Sequence, residues 1–109
     1  MRATPEDPHV RARRDVAAAL LLAEHQPGRD ANARALCRLR ADVAELLPEA
    51  QEAAERLPVD TRRRDVGLSS VAFARRLLST GPTGSPADRL RIWAKTTTVL
   101  LAYTERKGP

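Results

Sequence analysis

Between Leu36 and Leu57 the apolar residues recur with spacings that alternate strictly between three and four. The series is Leu36, Leu39, Val43, Leu46, Ala50, Ala53 and Leu57. This alternation lines one face of an α-helix, because neighbours on a helix face lie three or four residues apart. Such a face has to be buried against another helix. The stripe therefore predicts a helical fold in which this segment has a packing partner.

The composition favours a bundle of closely packed helices. The 109 residues include one Trp, one Phe and one Tyr, so the core has to be built from leucine and alanine. Alanine buries little area but allows helix axes to approach closely, whereas a β-sandwich needs more β-branched and aromatic residues. We predict an all-α bundle of four helices that forms a single domain over residues 1–109, with frayed ends at 1–8 and 107–109.

Proline, glycine and capping residues mark the helix boundaries. The first helix is predicted over residues 9–25, the second over the stripe, the third to about residue 79 and the fourth from Pro86 to about residue 106. Asp30 or Asn32 can cap the second helix, and Asp60 or Thr61 the third. Ser85, Pro86 and Asp88 have the spacing of a helix start with a serine cap, a first-turn proline and a third-position acid.

Each helix has a predicted inner face. In the first helix it consists of Val10, Val16, Ala17, Leu20 and Leu21, and in the third of Val66, Val71, Ala74, Leu77 and Leu78. In the fourth helix the spacing of the second recurs at Leu90, Trp93, Thr97, Leu100 and Thr104. The second helix is therefore expected to be the apolar spine and the fourth helix its companion.

Pro48 interrupts the second helix, since proline lacks an N–H and clashes with the carbonyl one turn back. Two structures are possible: one long helix kinked at Pro48, or two short helices with Pro48 in the first turn of the second. Glu49 and Glu52 favour the split, because acids stabilise a helix N-terminus. The stripe continues in phase through Pro48, and we therefore predict the kinked helix.

The sequence contains no set of residues with the spacing of a known catalytic or metal-binding motif. His9 and His25 are the only histidines and neither has a second ligand at helical spacing. Glu45, Glu49 and Glu52 share one helix face, which we interpret as a solvated acidic surface. Three further groups, the lone Cys37, the serines Ser69 and Ser70, and the threonines 96–98, belong to no catalytic signature. Cys37 is interpreted as a half-buried helix cysteine and the threonines as bonding to carbonyls one turn earlier. We predict no catalytic residue, no metal and no cofactor.

The apolar run at residues 16–23 follows three arginines, as a secretory signal would, but it is too short and ends in Glu24 and His25. It is also far shorter than the ~20 apolar residues that span a bilayer. We therefore expect a cytoplasmic protein that does not interact with membranes.

Positive charge is concentrated in the second half of the chain, whose net charge supplies the overall +5. If the third and fourth helices pack side by side, their basic residues can form a continuous face able to follow phosphates. The residues are Arg62, Arg63, Arg64, Arg75, Arg76, Arg89, Arg91 and Lys95. The loop between these helices is longer than the turn of a helix-turn-helix motif, and a solvated surface is the simpler interpretation.

Residues 36–78 resemble a family of small actinobacterial helical proteins of unknown function. The similarity lies in the segment ELLPEAQEAAERLP, with its mid-helix proline and closing Leu-Pro, and in the ending VAFARRL at residues 71–77. Proteins of this family are often labelled natural-product biosynthesis proteins. The resemblance implies an all-helical fold and a setting in secondary metabolism, and it carries over no catalytic residue.

The leading functional prediction is an accessory or scaffold protein that acts by binding a helical protein or a second copy of itself. Four thin helices have more apolar surface than a small core hides, so a face of the second or fourth helix is expected to be shared between chains. The candidate partner face is Leu36, Leu39, Val43, Leu46, Trp93 and Leu100. The alternative is nucleic-acid binding through the basic face. An enzymatic interpretation requires a pocket lined by Cys37, Trp93 or Tyr103.

Overall fold

The computed structural model describes residues 6–25 and 28–105, which contain four α-helices and no strand. The helices are α1 (Pro8–Glu24), α2 (Arg29–Glu55), α3 (Arg62–Thr80) and α4 (Pro86–Thr104). The predicted all-α bundle of four helices is thus confirmed.

Short polar side chains fix where these helices begin. Ser85 and Asp88 form a reciprocal capping box, in which Asp88 N–H donates to Ser85 Oγ (3.1 Å) and Ser85 N–H donates to Asp88 Oδ2 (3.4 Å). Thr61 caps α3 by accepting from the N–H of Arg64. Both caps follow the sequence prediction, but α2 differs, because Gly28 stands at its N-cap and Asp30 lies inside its first turn.

A side chain caps the start of α1. Asp7 accepts a 2.8 Å hydrogen bond from the N–H of His9, and this bond is the largest cause of the lowered pKa of Asp7. Pro8 occupies the first turn of α1, where its missing N–H is not needed. Fraying at residues 6–8 stays a prediction. The other residues expected to fray, 1–5 and 107–109, lie outside the described part of the chain.

The second helix is continuous through Pro48, as predicted. Pro48 and Ala44, whose carbonyl would have accepted the missing hydrogen bond, both lie on the exposed side of α2. Leu39, Val43, Leu46 and Ala50 are buried, but further along Ala54 is buried while Ala53 is only half-buried. A repeat of 3.5 residues drifts by about 20° per heptad on a helix with 3.6 residues per turn, which explains this change of face. The bend at Pro48 stays a prediction.

The pair formed by α2 and α4 is the centre of the bundle, as expected, and their contact is the most extensive one between helices. Helix α1 packs on both members of this pair. Helix α3 packs mainly on α2 and makes few contacts with α4. The result is a flat molecule of 45 × 43 × 22 Å. Its inner residues from α4 include Leu90, Trp93, Thr97, Leu100 and Thr104, all of which were predicted to face inward.

The inner face of α1 was predicted wrongly. Its buried residues are Ala12, Asp15, Ala19 and Ala23, whereas Leu20 and Leu21 are 44% and 59% exposed. Val10 and Ala17 are also exposed, and Val16 is only half-buried. Small side chains on the inner face allow the axis of α1 to lie close to the axes of α2 and α4, and this close approach outweighs the burial of the larger leucines.

Helices α3 and α4 run antiparallel and touch near the start of α3. The loop at residues 81–85 joins them at one end, and Gly67 faces the ring of Tyr103 at the other. The hydroxyl of Tyr103 donates a 2.7 Å hydrogen bond to the carbonyl of Arg63, which fixes this end. Because the two helices make few contacts between these ends, they leave a groove along their length.

Within residues 6–25 and 28–105, none of the helices has the length and apolar character required to cross a bilayer.

Candidate functional site

A concave surface lies between α3 and α4 and is called here the α3–α4 groove. Its volume is about 690 Å³. Val66 and Phe73 line it from α3, and Ile92 and Val99 line it from α4. A volume of this size can accommodate several apolar side chains or a small apolar ligand.

The groove exposes large apolar side chains to solvent. Phe73 is 42% exposed and Val66 is 46% exposed, and these residues lie two helical turns apart on the same face of α3. Val66 had been predicted to point into the core; instead, Gly67 is the buried residue at this level, since a side chain there would collide with Tyr103. The groove therefore carries two of the exposed large apolar side chains of the described chain.

Two of the three hydroxyl groups that line the groove already donate to the helix backbone. Ser70 Oγ donates to the carbonyl of Val66 at 2.8 Å, and Thr96 Oγ1 donates to the carbonyl of Ile92 at 2.8 Å. Thr97 and Thr98 make the same kind of bond, so the prediction for the three threonines is confirmed. With these donors engaged, the groove presents a surface that is mostly apolar and offers few groups for orienting a polar substrate.

Charged residues of opposite sign lie at the two ends of the groove. Asp65 is in the first turn of α3, and Arg76 lies 11 residues further along, about 16 Å away at the rise of an α-helix. The guanidinium of Arg76 lies 5.8 Å from the centre of the Phe73 ring, a cation–π arrangement. Lys95 lines the groove from α4. The groove is therefore polarised along its length.

The predicted partner face is not on the surface of the molecule. Leu39, Val43, Leu46, Trp93 and Leu100 are at most 4% exposed, and Leu36 is half-buried against the same core. These residues pack between the helices of this one chain, because α2 and α4 are each other's main packing partners. These residues are therefore engaged within a single chain, and the partner face stays a prediction.

The predicted basic face is divided among several surfaces. Arg76 and Lys95 line the α3–α4 groove, but Arg89 faces the cleft beside α2, and Arg91 points to the carbonyl of Ala23 in α1. Arg75 donates a hydrogen bond to Gln51 of α2. Of the run of three arginines, Arg62 is exposed, Arg63 lies over the Tyr103 ring and Arg64 is partly buried. These contacts place the basic residues around several helices, because successive helix residues point in different directions, and a continuous basic face stays a prediction.

Two carboxylates are buried between α1 and α2, and sequence reasoning missed them as a site. Asp15 and Asp42 are 5% and 2% exposed. Each faces an arginine of the opposite helix: Arg11 Nε lies 3.3 Å from Asp42 Oδ1, and Arg38 Nε lies 3.7 Å from Asp15 Oδ1. The Oδ2 atoms of both carboxylates are buried without a hydrogen-bond partner. The available signal was the position of Asp15 in the series Ala12, Asp15, Ala19 and Ala23.

Burial and the neighbouring Asp15 raise the pKa of Asp42 to about 7. The loss of hydration is the largest cause, followed by the close approach and the negative charge of Asp15, while Arg11 opposes the shift. The same pairing raises the pKa of Arg11. Near neutral pH a proton on Asp42 removes part of the cost of burying two carboxylates together.

The residues considered for catalysis and metal binding are not brought together. Cys37 and Trp93 line one cleft of about 620 Å³, in which there is no histidine, and Tyr103 lies elsewhere. Cys37 is exposed, contrary to the half-buried position that was expected. Glu45 pairs with Arg11, and Glu49 Oε2 lies 3.2 Å from His9 Nε2. No group of three or more His, Cys, Asp or Glu residues is placed to hold a metal ion in the segments 6–25 and 28–105.

The chain belongs to the DUF6415 family, a family of unknown function whose model matches residues 10–109. The family expected from residues 36–78 was likewise one of unknown function, and the match extends over nearly the whole chain. Neither the curated proteins nor the solved structures include a match to this chain.

Proposed function

We propose that this protein is a non-catalytic accessory protein that binds a helical segment of a protein partner in the α3–α4 groove. One observation carries the proposal: Phe73 and Val66 are exposed two helical turns apart on one face of α3, in an open groove whose lining is mostly apolar. Helix-in-groove recognition uses apolar side chains at helical spacing, and a groove with these dimensions suits that mode.

The charges around the groove define the chemistry of the partner helix. Arg76 and Lys95 lie at one end, where acidic side chains of the partner can pair with them. Asp65 lies at the other end and suits a basic side chain. The partner is therefore a helix with an apolar stripe that is flanked by an acid at one end and by a base at the other.

Nucleic-acid binding is a second candidate with less support. Arg62 and Arg63 are exposed at the start of α3, which leaves a small basic patch there. The remaining basic residues are distributed over other surfaces, so few phosphates can be contacted at once. Binding of this kind would weaken steeply with salt, because counterions are released from the phosphates.

The proposal also covers the cellular compartment and the metabolic context of the protein. We assign it to the cytoplasm, on the basis of a charged chain with a single cysteine. The resemblance of residues 36–78 to proteins labelled for natural-product biosynthesis supports a role in secondary metabolism. The identity of the neighbouring genes tests that role, since an accessory protein of this kind should be encoded beside biosynthetic enzymes.

The groove is tested by titrating the ¹⁵N-labelled full chain with two helical peptides and following its amide resonances by NMR. Both peptides carry the same leucine stripe, with glutamates beside it in one and lysines in the other. We expect the glutamate peptide to shift the amides of Val66, Phe73 and Val99 and to bind more tightly than the lysine peptide at low salt, because it complements Arg76 and Lys95.

Two variants with matched exposure provide the control. Phe73→Ser should weaken binding of the glutamate peptide by about tenfold or more, as is common for a central aromatic residue. Leu20→Ser removes an equally exposed apolar side chain from α1 and should leave binding unchanged. The proposal is wrong if neither peptide shifts the groove amides at ~1 mM, the concentration at which even millimolar affinity is visible.

A further inference from the structure

The surface that α3 turns toward the groove is complementary to itself when it is reversed. In chain order it presents an acid, an apolar residue, two small residues, an apolar residue and a base. These residues are Asp65, Val66, Ser69, Ser70, Phe73 and Arg76, and all of them line the α3–α4 groove. Read from the other end, an acid stands opposite a base and an apolar residue opposite an apolar residue.

We propose that the occupant of the α3–α4 groove is α3 of a second copy of this chain, packed antiparallel across a two-fold axis. This inference rests on the proposed function and names the partner. A two-fold arrangement ends at two copies, because both copies use the same surface and none is left free for a third. It pairs the groove of each chain with the exposed apolar residues of the other.

The register of the pairing follows from the residue positions. A two-fold axis that passes between Ser69 and Ser70 sets Val66 of one copy opposite Phe73 of the second copy at both ends of the contact. Asp65 of one copy and Arg76 of the second copy are then offset by two residues, about 3 Å along the helix, which a long arginine side chain spans. Lys95 lies on the same groove and reinforces the positive end.

The centre of this contact suits a close approach of two helices. Ser69 and Ser70 are small, and the hydroxyl of Ser70 already donates to the carbonyl of Val66, so its burial leaves that donor satisfied. On each side of the centre, Phe73 of one copy can enter the groove of the other between its apolar residues. Both exposed apolar residues of α3 are covered in this way.

The exposed leucines of α1 are a poorer occupant. Leu20 and Leu21 lie on a helix that makes no contact with α3, on a different side of the bundle. Insertion of these leucines into the groove of another copy would join two different surfaces. Such head-to-tail contacts build open filaments of many copies, unless the rotation between copies closes a ring. The α3 pairing instead ends at two copies and satisfies the charges at both ends.

The expected dimer is weak. Helix α3 has 19 residues and is about 28 Å long, so a contact centred on one helix pair falls at the small end of specific interfaces. Small interfaces of this type are transient, and we expect a dissociation constant of the order of 10–100 µM. The measurement therefore has to extend to high protein concentration.

Sedimentation velocity of the full chain from ~5 to ~500 µM, at low salt, tests the pairing across that expected affinity. We expect a monomer that becomes a dimer with rising concentration. Arg76→Asp and Asp65→Arg should each weaken the dimer by at least about tenfold, because each places like charges opposite each other. The double variant D65R/R76D should recover affinity to within about threefold of the wild-type chain.

Arg89→Asp is the matched control, because it changes the net charge by the same amount as Arg76→Asp but lies outside the groove. This variant should dimerise at least as well as the wild-type chain. Circular dichroism confirms that each variant is folded. The inference is overturned if the chain stays monomeric at every concentration, or if a dimer forms that neither charge reversal weakens. It is equally overturned if the double variant fails to recover. A monomer whose groove amides still respond to the glutamate peptide would overturn the second copy as occupant while leaving the proposed groove function intact.

Discussion

Gly67 and Tyr103 meet at the closed end of the α3–α4 groove. A Cβ atom added to Gly67 would lie 2.7 Å from Cε1 of Tyr103 and 2.9 Å from Cβ of Ala54. Only a glycine fits between α2 and α4 at this point of α3. The same contact holds the start of α3 against α4, and the groove opens beyond it. The shape of the groove thus depends on a residue that does not line it.

Gly67→Ala should destabilise the protein by about 1–3 kcal/mol, since overpacking at this contact outweighs the better helix propensity of alanine. Urea unfolding followed by circular dichroism measures the change. Gly28→Ala is the control, because a Cβ at Gly28 has no neighbour within 4 Å. Equal stability of Gly67→Ala and the wild-type chain would show that α3 and α4 do not approach as closely as described.

Asp42 should make the stability of the protein depend on pH. Its pKa is about 7 in the folded chain and about 3.8 as the ordinary value, so the folded chain holds a proton that the unfolded chain releases. The stabilisation of the folded chain by this proton is complete below pH ~4. It falls as the pH rises toward 7 and does not change further above that pH. Asp42→Asn carries no titrating group and should therefore become increasingly more stable than the wild-type chain between these pH values.

The measurement is the free energy of unfolding of both chains at a series of pH values from 4 to 8, in the window set by the raised pKa of Asp42. Asp60→Asn is the control for the substitution itself, because Asp60 is exposed and has a φ of 68°, which asparagine adopts readily. A difference between Asp42→Asn and the wild-type chain that stays constant with pH would contradict the raised pKa of Asp42.

Pro48→Ala should stabilise the protein by about 1–3 kcal/mol, because it restores a backbone N–H within a continuous helix and removes the clash of the ring. The exposed position of Pro48 means that no packing is lost. Thermal unfolding provides the measurement. Pro86→Ala, at the first turn of α4, serves for comparison and should change stability by only a few tenths of a kcal/mol. A destabilised Pro48→Ala chain would indicate that α2 needs the proline.

Local signals predicted much of the fold correctly. The capping box at Ser85 and Asp88 and the cap at Thr61 depend on bonds within one helical turn, which the sequence determines directly. The stripes of α2 and α4 identified their inner faces because large residues alternate there with polar ones. The continuity of α2 through Pro48 followed from the phase of its stripe.

The errors arose where several faces compete for burial. In α1, Leu20 and Leu21 lie outward and Ala19 and Ala23 inward, because the distance between helix axes decides which face is buried, and that distance is a property of the whole bundle. Asp15 was missed for the same reason, since its partner Asp42 lies on another helix. The groove depends on the separation of α3 from α4, and the spacing of Val66 and Phe73 alone does not determine it.

The occupation of the α3–α4 groove by a second copy of the chain is tested most directly by comparing amide NMR spectra of the full chain at ~20 µM and ~1 mM, a range that brackets a weak micromolar association. The predicted result is that the amides of Val66, Ser69, Phe73 and Val99 shift with concentration, while those of Leu20 and Leu21 on α1 stay in place. Groove amides that do not move, with shifts confined to other surfaces, would contradict it.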